Sequence, residues 1–174
     1  MALSIRKATK YKDYYQLNIM RVRTAVAEDS VIVGKVHSKA WKSAYRGIFP
    51  DKFINDDTSS KRSEEFLESI KDGSCTYFLL EESDNVAGIV KTREANNVLE
   101  IESIYILNEY RGKGFGREFM NSIKTYGSWS CIFLWVLESN TNARRFYENN
   151  GFVLSGKSRM ISRGIELKQL QYVI

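Results

Sequence analysis

The sequence predicts one mixed α/β domain, with a central, mostly antiparallel sheet of about six to seven strands and about four flanking helices. Three observations carry this prediction. Apolar residues in the first third recur at helical spacing, and later stretches alternate short strand-like runs with two helical ones. No linker, low-complexity segment or heptad run interrupts the 174 residues, a length that suits a single domain.

The composition bounds the class of protein. The 43% hydrophobic and 27% charged fractions are ordinary for a soluble globular protein, and neither a membrane span nor a secretory leader is recognisable, so we expect a cytoplasmic location. Two distant cysteines and a single histidine form neither a disulfide framework nor a zinc pattern, and no metal is expected. The net charge of +5 is compatible with an anionic ligand or nucleic acid, but a merely basic surface is the commoner case.

The chain is expected to begin its domain near residue 20. Residues 5–9 faintly echo residues 22–26, which is too little to establish a repeat, so residues 1–19 are treated as an N-terminal extension of uncertain status. The domain is assigned to residues 20–174, with a first short strand at 21–26.

Two helices are predicted next. One apolar face runs from Val33 to Tyr45, and Gly47 ends that helix. Polar residues from Asp57 onward cap a second helix, and Gly73 lies just beyond its end.

The period then changes to that of strands. Runs at 76–81, 86–92 and 98–107 are separated by polar clusters and predict an antiparallel meander. Residues 131–137 are nearly all apolar, which is typical of a strand buried on both faces. Because a helix joins this run to the preceding strand, the two are predicted to be parallel neighbours. A helix is predicted at 141–150 and ends at Gly151. Two last strands are predicted at 153–161 and 165–174.

Residues 108–117 connect a predicted strand to a predicted helix and are rich in glycine and cations. Glycine lets a ligand approach the backbone, and the first turn of a helix offers unpaired N–H groups and the positive end of a dipole. This combination predicts an anion site, most naturally for a phosphate or pyrophosphate. The residues concerned are Arg111, Gly112, Lys113, Gly114, Gly116 and Arg117.

The glycine spacing excludes two familiar phosphate sites. A nucleotide P-loop requires Gly-Lys followed by Ser or Thr, whereas Lys113 is followed by Gly114. A dinucleotide-binding fingerprint has a different third-glycine spacing and lies in the first βα unit, whereas these glycines follow several antiparallel strands.

Two stretches carry motifs. Residues 111–116 are Arg-Gly-Lys-Gly-Phe-Gly, and residues 140–152 are Asn-Thr-Asn-Ala-Arg-Arg-Phe-Tyr-Glu-Asn-Asn-Gly-Phe. Together they resemble the GNAT superfamily of acetyl-CoA-dependent N-acetyltransferases, whose two elements are R/Q-x-x-G-x-G/A and N-x-x-A-x-x-F-Y-x-x-x-G-F. Both occur in the family's order, each after a strand and at the start of a helix, and the resemblance covers the chain from about Arg21 onward.

The resemblance implies how acetyl-CoA is held. The strand before the glycine loop splays from its parallel neighbour and pairs with the pantetheine arm, while Asn140 hydrogen-bonds that arm; a plain helix N-cap stays open as the role of Asn140. A backbone N–H near Tyr105 or Ile106 stabilises the oxyanion. The implied cofactor-binding residues are Ile104, Tyr105, Ile106, Arg111, Gly112, Lys113, Gly114, Phe115, Gly116, Arg117, Asn140, Ala143 and Tyr147.

The resemblance also implies catalytic residues. Tyr147 is assigned as the general acid that protonates the departing thiolate, although periodicity alone would make it a core aromatic. Glu100 and Glu102 lie two residues apart on a strand and are the candidate bases, with Glu100 favoured by its offset from the splayed segment. A solvent-facing carboxylate pair is an equally open reading of these two residues.

The function predicted is transfer of the acetyl group of acetyl-CoA to a primary amine by direct attack. The alternative is a non-catalytic acyl-CoA-binding sensor or scaffold, and a nucleic-acid binder is the weakest reading because the positive charge is dispersed. The expected partners are acetyl-CoA and an amine acceptor, with no membrane or nucleic acid, and a homodimer stays open. The sequence does not identify the amine.

Overall fold

A seven-stranded sheet organises the chain in the computed structural model, which describes residues 20–54 and 56–174. Its spatial order is β1-β2-β3-β4-β5-β7-β6, and every neighbouring pair is antiparallel except β4 and β5, which are parallel. The predicted fold class and the predicted parallel pair are confirmed. The strands are β1 (Met20–Thr24), β2 (Thr76–Glu82), β3 (Asn85–Ala95), β4 (Val98–Ile106), β5 (Cys131–Leu137), β6 (Val153–Ser162) and β7 (Glu166–Val173).

Five helices accompany the sheet in the described residues. Four of them were predicted; the exception is α2, a single turn directly after Pro50. The assignment of residues 1–19 as an extension lies outside the described residues. The helices are α1 (Ser30–Tyr45), α2 (Asp51–Ile54), α3 (Ser59–Asp72), α4 (Phe115–Thr125) and α5 (Thr141–Asn149), with 3₁₀ turns at Ala27–Asp29 and Asn108–Tyr110.

Tight turns build the β2–β3–β4 meander. Ser83 and Asp84 have φ values of 46° and 68°, and Asn96 and Asn97 have φ values of 52° and 62°. Left-handed pairs of this kind match the twist of antiparallel strands, and Asn and Asp tolerate them better than most residues do. The polar clusters in the sequence therefore became hairpin turns that bring β4 back alongside β3.

Helices α1 and α3 cross closely on one face of the sheet. A Cβ atom at Gly34, in the second turn of α1, would collide with the carbonyl oxygen of Ser59 and with Ser63. A glycine inside a helix costs about 1 kcal/mol relative to alanine, so close helix packing is the gain that accounts for it here.

The sheet has an apolar core on each face. One core joins the sheet to α4 and α5 and contains Phe115, Phe119, Met120 and Tyr147, and the other packs α1 and α3 against the opposite face. A third, smaller cluster joins Phe49 and Ile54 to Leu137 near the end of β5, and aromatic and aliphatic residues of α1, β6 and β7 pack against it.

The prediction that β5 is buried on both faces is wrong for alternate residues. Ile132, Leu134 and Val136 are buried against the α4 core, whereas Cys131, Phe133 and Trp135 are only partly covered. These three side chains point to the face of the sheet on which α1 packs. Helix α1 leaves that face incompletely covered near the end of β5, and an open cleft lies there. In the described residues, no helix is both long and apolar enough to span a membrane.

Candidate active site

The cleft is created by two parallel strands that separate. Strands β4 and β5 are paired from Val98–Cys131 to Ile101–Leu134 and not beyond. The remainder of β4 keeps its pairing with β3 up to Ile106. Past the last shared pair, the strands line opposite sides of a cleft of about 580 Å³.

The backbone of β4 presents a free edge to this cleft. The N–H of Leu107 donates to the carbonyl of Ala87 at 2.9 Å, and the β3–β4 register is regular back to Ser103. Because groups on an antiparallel strand point alternately toward and away from the partner, the N–H groups of Ile104 and Ile106 point away from β3. Both residues line the cleft, so an extended ligand finds a strand edge there.

The side chain of Tyr105 also lines the cleft, and on the α1 face of the sheet it packs on His37, with ring centroids 4.7 Å apart. Burial, aided by the positive charges of Arg62 and Lys91, lowers the pKa of His37 to about 3. A histidine with so low a pKa is neutral and weakly basic at pH 7. It is a packed residue of the α1 face of the sheet.

The glycine loop opens helix α4 at the mouth of the cleft. Gly112 and Gly114 have φ values of 74° and 88°, and Gly114 is the N-cap of α4. A Cβ at Gly116 would lie 2.8 Å from the ring of Phe146, so this position has no room for a side chain. Within the described chain, no hydrogen bond engages the N–H groups of residues 112–116. The loop therefore offers the open backbone and helix N-terminus that a phosphate requires.

The three cations of the loop have different surroundings. Arg111 lines the cleft, but its Nε donates to the carbonyl of Ile106 at 2.9 Å, which ties the loop to the end of β4. Arg117 is exposed and also lines the cleft. Lys113 lies over the ring of Tyr110 at 5.9 Å and does not line the cleft, and the side chain of Phe115 is buried in the core.

Asn140 occupies the start of α5 on the opposite wall. Its Oδ1 accepts a hydrogen bond from the N–H of Ala143 at 3.1 Å, which makes it the N-cap of that helix. Both residues line the cleft. Because the cap uses only the amide oxygen, the NH₂ group is left for a ligand. The two roles that the sequence left open for Asn140 are compatible.

Tyr147 of α5 also lines the cleft. Its ring packs in the core beside Phe152 and Tyr172. Burial raises the pKa of its phenol, to which the neighbouring Tyr45 adds. The hydroxyl is therefore a neutral proton donor at pH 7.

The two carboxylates of β4 have different environments. Glu102 lines the cleft and forms ion pairs of 2.7 Å with both Lys91 and Arg93. Burial raises the pKa of Glu102, but these partners outweigh burial and the pKa lies below its ordinary value. Glu100 does not line the cleft; burial and the charge of Glu102 raise its pKa. Glu100 is thus the more basic of the pair, and Glu102 the one exposed to the cleft.

Comparison with known proteins identifies this arrangement. The model of the acetyltransferase (GNAT) family matches residues 38–152, which include β4, the glycine loop, α4, β5 and α5. The chain belongs to the GNAT family. It is accordingly an acetyl-CoA-dependent N-acetyltransferase, and this assignment favours the enzyme over a pure binding module.

Curated relatives of this GNAT protein carry the same general description. A probable N-acetyltransferase of Mycobacterium tuberculosis, Rv2775, is 24% identical over 80% of this chain and 83% of its own length. The uncharacterized N-acetyltransferase YuaI of Bacillus subtilis is 25% identical over 87% of this chain and 91% of its own.

Solved structures confirm the GNAT fold. The PaiA N-acetyltransferase of Thermoplasma acidophilum, in complex with coenzyme A, superposes with a TM-score of 0.69 at 21% identity, over 88% of this chain and 98% of that one. The spermidine N-acetyltransferase of Vibrio cholerae, in complex with CoA and spermine, gives 0.69 at 22% identity, over 89% and 94%.

The structure adds residues to the GNAT site that the sequence did not indicate. Trp135 of β5 and Gln169 of β7 line the cleft, as does Phe146 beside the loop. Trp135 lies in an apolar run that reads as core, and Gln169 in a strand without a motif, so neither carried a signal. In the part of the chain that is described, no group of three or more His, Cys, Asp or Glu residues is arranged to hold a metal ion.

Proposed function

We propose that the protein transfers the acetyl group of acetyl-CoA to a primary amine by direct attack, with both substrates bound at once. The observation that carries the proposal is the free edge of β4, which faces a cleft lined by the glycine loop and by Tyr147. A strand edge suits an amide-bearing arm, and a phosphate-binding helix terminus suits the pyrophosphate.

Coenzyme A fits the groups that the cleft offers. The open N–H groups of residues 112–116 and the charge of Arg117 address the pyrophosphate. The backbone of Ile104 pairs with the arm from one side, and the free amide of Asn140 donates from the other. Arg111 acts mainly by holding the loop against β4, because its Nε is engaged by Ile106.

The thioester supplies an activated acetyl carbon, and the proposed protein groups act around it. The N–H of Ile106 points into the cleft and stabilises negative charge on the carbonyl oxygen during attack. Tyr147 donates its proton to the sulfur that leaves, because its raised pKa keeps the phenol protonated at pH 7.

Removal of a proton from the amine is assigned to the carboxylates of β4. Glu102 lies at the cleft surface, but its two cationic partners make it a weak base. Glu100 has the higher pKa and acts on the amine through an intervening water. The proposal keeps both, with Glu100 as the stronger proton acceptor.

Substitution of Tyr147 by Phe tests the proposal. Loss of the acid is expected to lower kcat roughly a hundredfold, since general acid catalysis contributes about 10² to 10⁴ in rate. The affinity for acetyl-CoA, measured by isothermal titration calorimetry, is expected to stay nearly unchanged. Turnover would be followed by thiol release with a panel of amines.

Tyr126→Phe is the matched control, because Tyr126 is an exposed tyrosine that does not line the cleft. Equal turnover in the Tyr147 and Tyr126 variants would remove Tyr147 from the mechanism. Failure of the unmodified protein to bind acetyl-CoA would overturn the proposed function itself.

A further inference from the structure

We propose that the acceptor amine carries an anionic group, of which a carboxylate is the simplest case, and that Arg159 selects it. The inference rests on the proposed acetyl transfer and adds the chemical class of the acceptor. It follows from the side chains that border the cleft on the face of the sheet opposite α4.

Arg159 lies beside the cleft on strand β6. It pairs directly with Gln169 of β7, which in turn pairs with Leu137 of β5, so the three side chains stand in one row on one face of the sheet. Gln169 and Leu137 both line the cleft. Arg159 therefore lies at the edge of the space that an acceptor would enter.

The guanidinium of Arg159 is held in a fixed position. Its centre lies 4.3 Å from the ring of Trp135, a residue that also lines the cleft. Its Nε donates to Oε1 of Gln169 at 2.7 Å. Stacking on an aromatic ring and a hydrogen bond at Nε orient a planar guanidinium without using its terminal nitrogens.

Those terminal nitrogens are available. Among the described residues, neither Nη1 nor Nη2 of Arg159 has a hydrogen-bond acceptor, and no carboxylate lies within ion-pair distance of the group. A pre-oriented guanidinium with a free pair of N–H groups matches a carboxylate, which accepts both bonds at once.

The balance of charge around the cleft points to the same class. Glu102 is the acidic side chain among the described residues that line the cleft, and both Lys91 and Arg93 already neutralise it. Arg163 adds positive charge near Tyr45. A polycation such as spermidine would need unpaired carboxylates in the cleft lining, whereas, among the described residues, the lining carboxylate Glu102 is paired and Arg159 beside the cleft has no ion pair.

Arg159 has one other candidate role. Glu100 lies close enough for the charge of Arg159 to offset part of the rise that burial and Glu102 cause in its pKa. If Arg159 served only to adjust that carboxylate, its removal would affect every acceptor alike. Selection of an anionic acceptor instead predicts an effect that depends on the charge of the substrate.

The test compares matched amines. Free amino acids and phosphoethanolamine would be assayed beside amino acid carboxamides, ethanolamine and spermidine, with thiol release as the readout. The unmodified protein is expected to prefer an anionic amine over its neutral counterpart and to use spermidine poorly. Arg159→Gln is expected to lower kcat/KM for the anionic amine roughly ten- to a hundredfold, mainly through KM, as loss of a charged hydrogen bond predicts. Neutral amines should change by no more than about twofold.

Lys157→Gln is the control, because it removes the same charge from an exposed position of the same strand. It should leave the preference intact, and Arg159→Lys should give an intermediate loss. The inference is overturned if the unmodified protein prefers spermidine or neutral amines, or if Arg159→Gln slows all amines equally. Either result leaves acetyl transfer standing, whereas no transfer to any amine and no acetyl-CoA binding would overturn the proposed function instead.

Discussion

His37 of helix α1 is a neutral imidazole that packs on the ring of Tyr105. Burial lowers the pKa of His37 from 6.5 to about 3. Below pH 6.5 the unfolded chain therefore binds a proton at His37, whereas the folded protein binds this proton only near pH 3. The unfolded state then binds more protons, so stability falls as the pH drops through this window. Above pH 6.5 the residue makes no pH-dependent contribution.

Replacing His37 by Gln is expected to remove this sensitivity. Between pH 8 and pH 5 the unmodified protein should lose about 2 kcal/mol more unfolding free energy than the variant, as linkage gives for a shift of this size. Urea denaturation of both proteins at the two pH values measures the difference. Parallel losses would show that His37 is not held neutral by the fold.

The N-terminus of helix α5 has two roles, because Asn140 caps the helix and also lines the cleft. Asn140 caps the helix through its oxygen and leaves its amide nitrogen toward the cleft. Serine is also a good N-cap but lacks that amide. Asn140→Ser is therefore expected to keep the unfolding free energy within about 0.5 kcal/mol while weakening acetyl-CoA binding roughly tenfold.

Asn140→Ala is the companion variant, and it should lose about 1 kcal/mol of stability in addition to affinity. Thermal denaturation and calorimetric titration separate the two effects. If Asn140→Ser bound acetyl-CoA as tightly as the unmodified protein, the residue would be a helix cap and nothing more.

The same elements show how far the sequence could be interpreted. Periodicity located α1, α3 and all seven strands, because each has a local apolar pattern and a turn at its ends. The motifs pointed to Gly112, Asn140 and most of the other predicted donor-site residues that line the cleft, since a backbone site requires glycines at fixed spacing. The proposed acceptor side was not predictable: Trp135, Gln169 and Arg159 come from three strands and meet only through sheet register. No local pattern in the sequence predicts that residues of three different strands lie side by side.

At the scale of the whole molecule, the sheet consists of two parts joined through four residue pairs. Strands β1–β4 and β5–β7 meet only from Val98–Cys131 to Ile101–Leu134. A ligand that pairs with β4 in the cleft would extend this junction. A ligand that binds only the folded state stabilises the protein by about 2.7 kcal/mol when its free concentration is a hundred times Kd.

Amide exchange measured by NMR can detect this effect residue by residue. The N–H groups of Ile104 and Ile106 face the cleft and should exchange quickly in the free protein and slowly with coenzyme A bound. The N–H of Tyr105 faces β3 and serves as an internal control, with slow exchange in both states. Unchanged exchange at Ile104 in the presence of saturating coenzyme A would contradict pairing of the ligand with this edge.

The divergence of β4 and β5 has a consequence for what else the cleft can admit. An exposed strand edge normally invites pairing with other polypeptides and hence aggregation. Here the edge lies inside the wedge-shaped gap between β4 and β5. This gap closes at Ile101 and Leu134, where the two strands begin to pair. A polypeptide strand carries side chains on alternate faces and needs a partner spacing of about 4.8 Å on each side. A slender chain without side chains suits the narrowing wedge better, so the sheet protects its own open edge by its shape.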